Sequence, residues 1–126
     1  MIRLSGIAAL VAAIATGVLL LATTAGAASH PKLIGTVGKN GAFKITLKDS
    51  KGKLVKTLKA GTYTFVIHDD ASIHNYELDG PHGKSWTFTS VGFVGTKTKT
   101  LKLTRGKYKA YCAPHESTMF QHFTVR

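Results

Sequence analysis

The sequence predicts an all-β protein, an antiparallel β-sandwich of seven to eight short strands preceded by an N-terminal signal peptide. Three observations carry this. Apolar and polar residues alternate in short runs, which gives strands with one buried and one wet face. Gly, Asp and Pro turn chemistry separates those runs, and no stretch beyond the leader has a helical period.

The leader comes first. Arg3 supplies a positive start, an apolar run covers 7–21, and small residues fill 23–28, where Ala25-Gly26-Ala27 fits the pattern a signal peptidase needs. A comfortable membrane span takes about 20 apolar residues, more than this run offers. The expected division is a signal peptide over 1–28 and one domain over 29–126, with an uncleaved anchor as the alternative. No cysteine lies near the cleavage site to take a lipid. The roughly 98 remaining residues suffice for a single core.

The domain opens with a strand at 33–37. Phe43, Ile45 and Leu47 alternate with Lys44, Thr46 and Lys48, so the first three are expected inside. Asp49-Ser50-Lys51-Gly52 reads as a turn, followed by an extended segment over 54–58. Gly61 punctuates before 62–67, a run rich in β-branched and aromatic residues. Further strands are expected at 75–78, 85–88, 100–104, 107–111 and 121–125. Parity then places side chains. His74 shares a face with Tyr76 and Leu78, and Cys112 shares one with Tyr108 and Ala110, so both point into the sandwich from strand ends.

The net charge is +11, and the leader holds only one of the 17 basic residues, so the domain keeps nearly all of it. Such a surface suits acidic partners or peripheral association with an anionic envelope. Nucleic acid is not expected, because the lysines alternate along strands instead of clustering on a helix. A monomer is expected.

The chain has a single cysteine, which cannot form an internal disulfide. In an exported protein such a thiol pairs with another chain, reacts, or binds a metal. Its surroundings favour the metal. Cys112-Ala113-Pro114-His115-Glu116-Ser117-Thr118-Met119 has the pattern C-x2-H-x3-M, and His74-Asn75 lies upstream. A thiolate, two imidazoles and a weak thioether suit copper cycling between two oxidation states. A histidine and a methionine at those offsets coincide by chance roughly once in 10³. Pro114, with fixed φ and no amide proton, stiffens the turn between Cys112 and His115.

The segments SIHNYEL and YCAPHESTMFQHFTV resemble the two ligand regions of the cupredoxins, the type 1 blue-copper proteins, particularly short bacterial exported forms. The resemblance implies a Greek-key sandwich with one copper ion at one end. His74, Cys112 and His115 would be its strong ligands and Met119 the axial one. Asn75 matches the asparagine that fastens the ligand loop from outside the ligand set. The ligand loop is shorter than in plastocyanin-like or azurin-like forms, and the acidic docking patch is absent.

The remaining candidates have plain readings. His30 is near the new N-terminus, His68 sits in a loop before Asp69-Asp70, His82 is in a turn that could fall near the copper end, and His122 faces water. Glu116 is an exposed loop carboxylate, and Trp86 and Phe88 are core or rim aromatics. No nucleophile–base pair, carboxylate pair or phosphate loop is present, so the chain is not expected to be an enzyme. The expected function is one-electron transport outside the cytoplasmic membrane with redox protein partners bearing acidic surfaces. The alternative is copper storage or delivery with the same ligands. In cupredoxins the exposed histidine edge is the electron exit, here His115.

Overall fold

A computed structural model describes Gly26 and residues 29–126; the signal-peptide reading lies outside the described residues. Nine strands follow in order: β1 Lys32–Val37, β2 Ile45–Asp49, β3 Thr57–Leu58, β4 Gly61–Asp69, β5 Tyr76–Asp79, β6 Ser85–Thr89, β7 Gly95–Leu103, β8 Gly106–Tyr111 and β9 Phe120–Val125. They form two packed sheets, ordered β2-β1-β4-β7 and β3-β9-β8-β5-β6. Among the described residues the only helical pieces are short 3-10 turns.

The alternation in sequence becomes the two faces of each sheet. Leu33, Leu47, Phe65, Ile67, Leu78 and Val125 are all buried and meet between the layers. Two pairings are parallel rather than antiparallel, β1 with β4 and β3 with β9. Sequence alternation is blind to strand direction, because period 2 is the same either way. The ninth strand is the two-residue β3, the remnant of the extended segment expected over 54–58. The rest of that segment makes one isolated bridge, Lys48 to Leu54.

Two further expectations change. Residues 95–99 were not expected as strand, yet β7 runs from Gly95 and pairs along all of β4. It is an edge strand at the rim of the sandwich, so Lys97 and Lys99 replace apolar residues there and lie over the Phe93 and Phe88 rings, 4.8 and 5.8 Å from the centroids. His68 is likewise inside β4 rather than in a loop, with Nδ1 2.9 Å from the Thr96 hydroxyl.

Specific side chains lock the layers. Tyr76 is wholly buried and its hydroxyl donates across to the Thr46 carbonyl at 3.0 Å. Gly35 makes room for it, since a Cβ there would come 2.8 Å from the Tyr76 ring. Tyr108 and Tyr63 each turn a hydroxyl back onto the carbonyl four residues upstream, Thr104 at 2.9 Å and Lys59 at 2.8 Å. Gln121 staples β9 to β2. Its Oε1 accepts from Leu47 N at 2.8 Å, and its Nε2 donates to the Leu47 and Val55 carbonyls at 2.9 and 3.0 Å.

Gln121→Leu leaves the Leu47 N–H and the Val55 carbonyl without their side-chain partner in a half-buried seam, while the Leu47 carbonyl keeps the Val55 N–H. It should cost the apo-protein about 1–3 kcal/mol in urea unfolding, with the denaturant slope unchanged.

Candidate metal centre

Antiparallel pairing sets which ends of the strands meet. Tyr76, at the start of β5, and Tyr111, at the end of β8, lie at the same end of their sheet, where Glu77 pairs with Tyr111. His74 precedes β5 and Cys112 follows β8, so the two are carried to one end of the sandwich. Both are fully buried. His115 arrives on the 3-10 turn Ala113–His115 and is half-buried.

The donor atoms of His74, Cys112 and His115 all lie within 4.8 Å of one another, the one such cluster of potential ligands among the described residues. Cys112 Sγ is 3.7 Å from His74 Nδ1 and 3.6 Å from His115 Nδ1, and the two ring nitrogens are 3.1 Å apart. Metal–nitrogen bonds of about 2.0 Å and metal–sulphur bonds of about 2.3 Å, at angles of about 100–120°, hold such donors roughly 3.1–3.8 Å apart, so the set fits one ion. Two Nδ1 atoms aimed at each other can share at most one proton, which leaves lone pairs directed at the common centre.

Met119 is buried, at 1 % exposure, on the segment that closes back on Cys112. Cys112 N donates to the Met119 carbonyl at 3.1 Å, and Met119 N donates to the His115 carbonyl at 2.8 Å. His115 N in turn donates to the Cys112 carbonyl at 3.1 Å. The short loop is thus self-bonded. Pro114 occupies the turn without a missing donor, because it has no N–H to satisfy.

Asn75 connects the two regions. Its Oδ1 accepts from Ala113 N at 2.7 Å, and its Nδ2 donates to Glu77 Oε1 at 2.9 Å. Glu77 Oε2 also accepts from the Tyr111 hydroxyl at 2.9 Å, and burial together with the Glu77 carboxylate pushes that phenol well above its ordinary range.

Three features escape a sequence reading. Phe43, expected inside, lies just before β2 and is 59 % exposed. Its ring stands edge-on to both imidazoles, with centroids 5.0 Å from His74 and 4.9 Å from His115. Gly38, with φ +71, leaves space that a Cβ would fill at 2.8 Å from His74 Cδ2. Asp69, expected in a loop, is fully buried at the end of β4 with Oδ1 3.3 Å from Ala71 N and Oδ2 without a partner. Burial holds its carboxyl above the usual range, and burial first, then His115, holds the His74 imidazole below its own. His74 Nε2 is the other buried side-chain atom without a partner among the described residues.

The remaining histidines stay apart from this centre. His82 sits in the 3-10 turn Pro81–Gly83, whose Pro81 packs beside Gly106 at the start of β8, the end of the sandwich away from Cys112. His122 is exposed on β9, and His30 is exposed at the start of the domain. Glu116 is exposed and pairs with Lys109 at 2.7 Å.

A two-sheet β-sandwich whose end gathers His, Cys and His is the architecture of the cupredoxins, and this chain has that fold. Solved structures it resembles include several of rusticyanin. A methionine-to-glutamine mutant of rusticyanin is 15% identical over 75% of this chain and 76% of its own, with TM-score 0.54. Rusticyanin described as a copper protein gives the same values. Reduced rusticyanin is 16% identical over 75% of this chain and 78% of its own, with TM-score 0.52. No protein-family model and no curated protein matches the sequence.

Two measurements check this description. Asn75→Ala frees the Ala113 N–H and should weaken metal retention by about 10–100-fold in competition with a chelator. Asp69→Asn should gain stability relative to the parent apo-protein as pH rises from 3.8 toward neutrality, followed by thermal unfolding. The sign follows from the raised carboxyl: in that window the unfolded parent gives up a proton that the folded parent retains, so the parent loses stability and the amide does not.

Proposed function

We propose that this chain is an exported type 1 copper protein that carries single electrons, with His74, Cys112 and His115 as strong ligands and Met119 as the axial one. The observation that carries the reading is the convergence of one Sγ and two Nδ1 atoms at a buried strand end. A soft thiolate with two imidazoles favours copper over metals that prefer oxygen. Bound copper would exchange one electron between its Cu(I) and Cu(II) states.

The chain's own groups do the rest. The buried Cys112 and His74 keep water from the donors, and the self-bonded loop with Asn75 holds His115 in place in either state. Little reorganisation is then required. His115 and the Phe43 edge are the accessible parts of the site, and electrons leave there. The leader over 1–28 supports export to the periplasm, the envelope or the medium. The chain carries electrons to partners and is not itself an enzyme.

Visible absorption and electron paramagnetic resonance of the Cu(II)-loaded domain test the proposal. An intense blue band with small copper hyperfine splitting is expected, and Cys112→Ser should abolish it. A colourless protein, or a spectrum indifferent to that substitution, would overturn the reading.

A further inference from the structure

Lys44, just before β2, and Thr46 and Lys48 on it share the outer face by alternation with the buried Ile45 and Leu47. The turn Lys39–Gly41 overhangs it, and together with Thr36 these residues enclose a groove of about 230 Å³. Lys39, Lys44, Lys48, Asn40, Thr36 and Thr46 line it, so it offers three ammonium groups with hydroxyl and amide hydrogen bonds and no carboxylate.

None of those lysines is in an ion pair, and the exposed carboxylate nearest their turn in the fold is Asp70, whose N–H donates to the Val37 carbonyl at 2.9 Å. Among the described residues the one ion pair is Lys109–Glu116. Asp49 is committed to its own turn through Lys51 N and Lys53 N, and Asp69 is buried. Glu77 and Asp79 receive the Tyr111 hydroxyl on the other sheet. Lysines on an edge strand also deter strand addition, but that task needs no cavity.

The position of the groove selects the occupant. Ala42 and Lys44 line it, while Phe43 between them lies against the His115 ring at 4.9 Å. An anion seated on the lysines therefore lies beside the accessible edge of the metal site. We propose that this groove receives carboxylate side chains of an acidic electron-transfer protein, docking that partner's redox centre against Phe43 and His115. The inference rests on the electron-carrier reading and adds the recognition site to it. A concave groove takes protruding side chains, whereas a planar membrane surface meets a flat or convex face.

The first test needs no copper. Hexacyanochromate(III), a redox-inert paramagnetic trianion, should broaden the apo-protein amide signals of residues 39–48, and Lys39→Gln/Lys44→Gln/Lys48→Gln should abolish this. Broadening centred instead on Lys102 and Lys107 at the opposite end would overturn the groove assignment, whatever the fate of the copper reading. The second test uses the copper-loaded protein. Hexacyanoferrate(III) takes one electron from Cu(I), giving Cu(II) and hexacyanoferrate(II), and the triple variant should slow this at low salt by at least about tenfold. Lys102→Gln/Lys107→Gln should leave the rate unchanged. Binding to phosphatidylglycerol vesicles that is lost in the triple variant while the oxidation rate is unmoved would assign the groove to a membrane and overturn the proposal.

Discussion

The Ala113 amide follows Cys112 directly and lies in the turn that carries His115, so whatever accepts its proton sets where the ligand loop sits. Asn75 Oδ1 is that acceptor, at 2.7 Å, and Asn75 follows His74 directly. One side chain thus ties together two stretches nearly forty residues apart, each holding part of the cluster. Its amide nitrogen is held in turn by Glu77, which also takes the Tyr111 hydroxyl. The chain of bonds runs from ligand loop to strand interior, and both ends of it are fixed by the β5–β8 pairing.

Burial at this end carries an energetic cost as well as a benefit. Removing His74 and Asp69 from water leaves Nε2 of one and Oδ2 of the other unpartnered. Unpaired buried polar atoms each cost about 1–3 kcal/mol. The same burial holds His74 below and Asp69 above their ordinary ranges, so both are biased toward neutral forms. A neutral imidazole is the form that binds a metal. Gln121, Tyr76 and the back-turned Tyr108 and Tyr63 meanwhile secure the sandwich through side-chain bonds to backbone.

Charge and shape are divided between the layers in a consistent way. The sheet containing β2 exposes lysines and threonines on its outer face, whereas in the sheet containing β5 the half-buried Glu77 and Asp79 partly offset Lys107 and Lys109. The resulting asymmetry orients the molecule toward an acidic body on the β2 side. Phe43 stands at the junction, apolar and exposed, with its ring edge on both imidazoles.

Alternation along the sequence determined the sandwich and most of its strands, and parity alone placed His74 and Cys112 inward, because a side-chain period of two leaves little freedom once one face is buried. The close spacing of Cys112 and His115 likewise made part of the candidate cluster legible, since residues in one loop cannot stray far apart. Strand direction, the extension of β7 to Gly95, and the exposure of Phe43 were decided by the tertiary structure. Direction leaves no trace in periodicity. An edge strand can substitute lysine stems over aromatic rings for apolar side chains. Phe43 alternates correctly with Ile45 but lies beyond the end of β2, where no opposing sheet remains to bury it and two histidine rings from the loops at that end become its neighbours. The burial of Asp69 arose in the same way, from β4 continuing past the point where its local sequence reads as a polar turn.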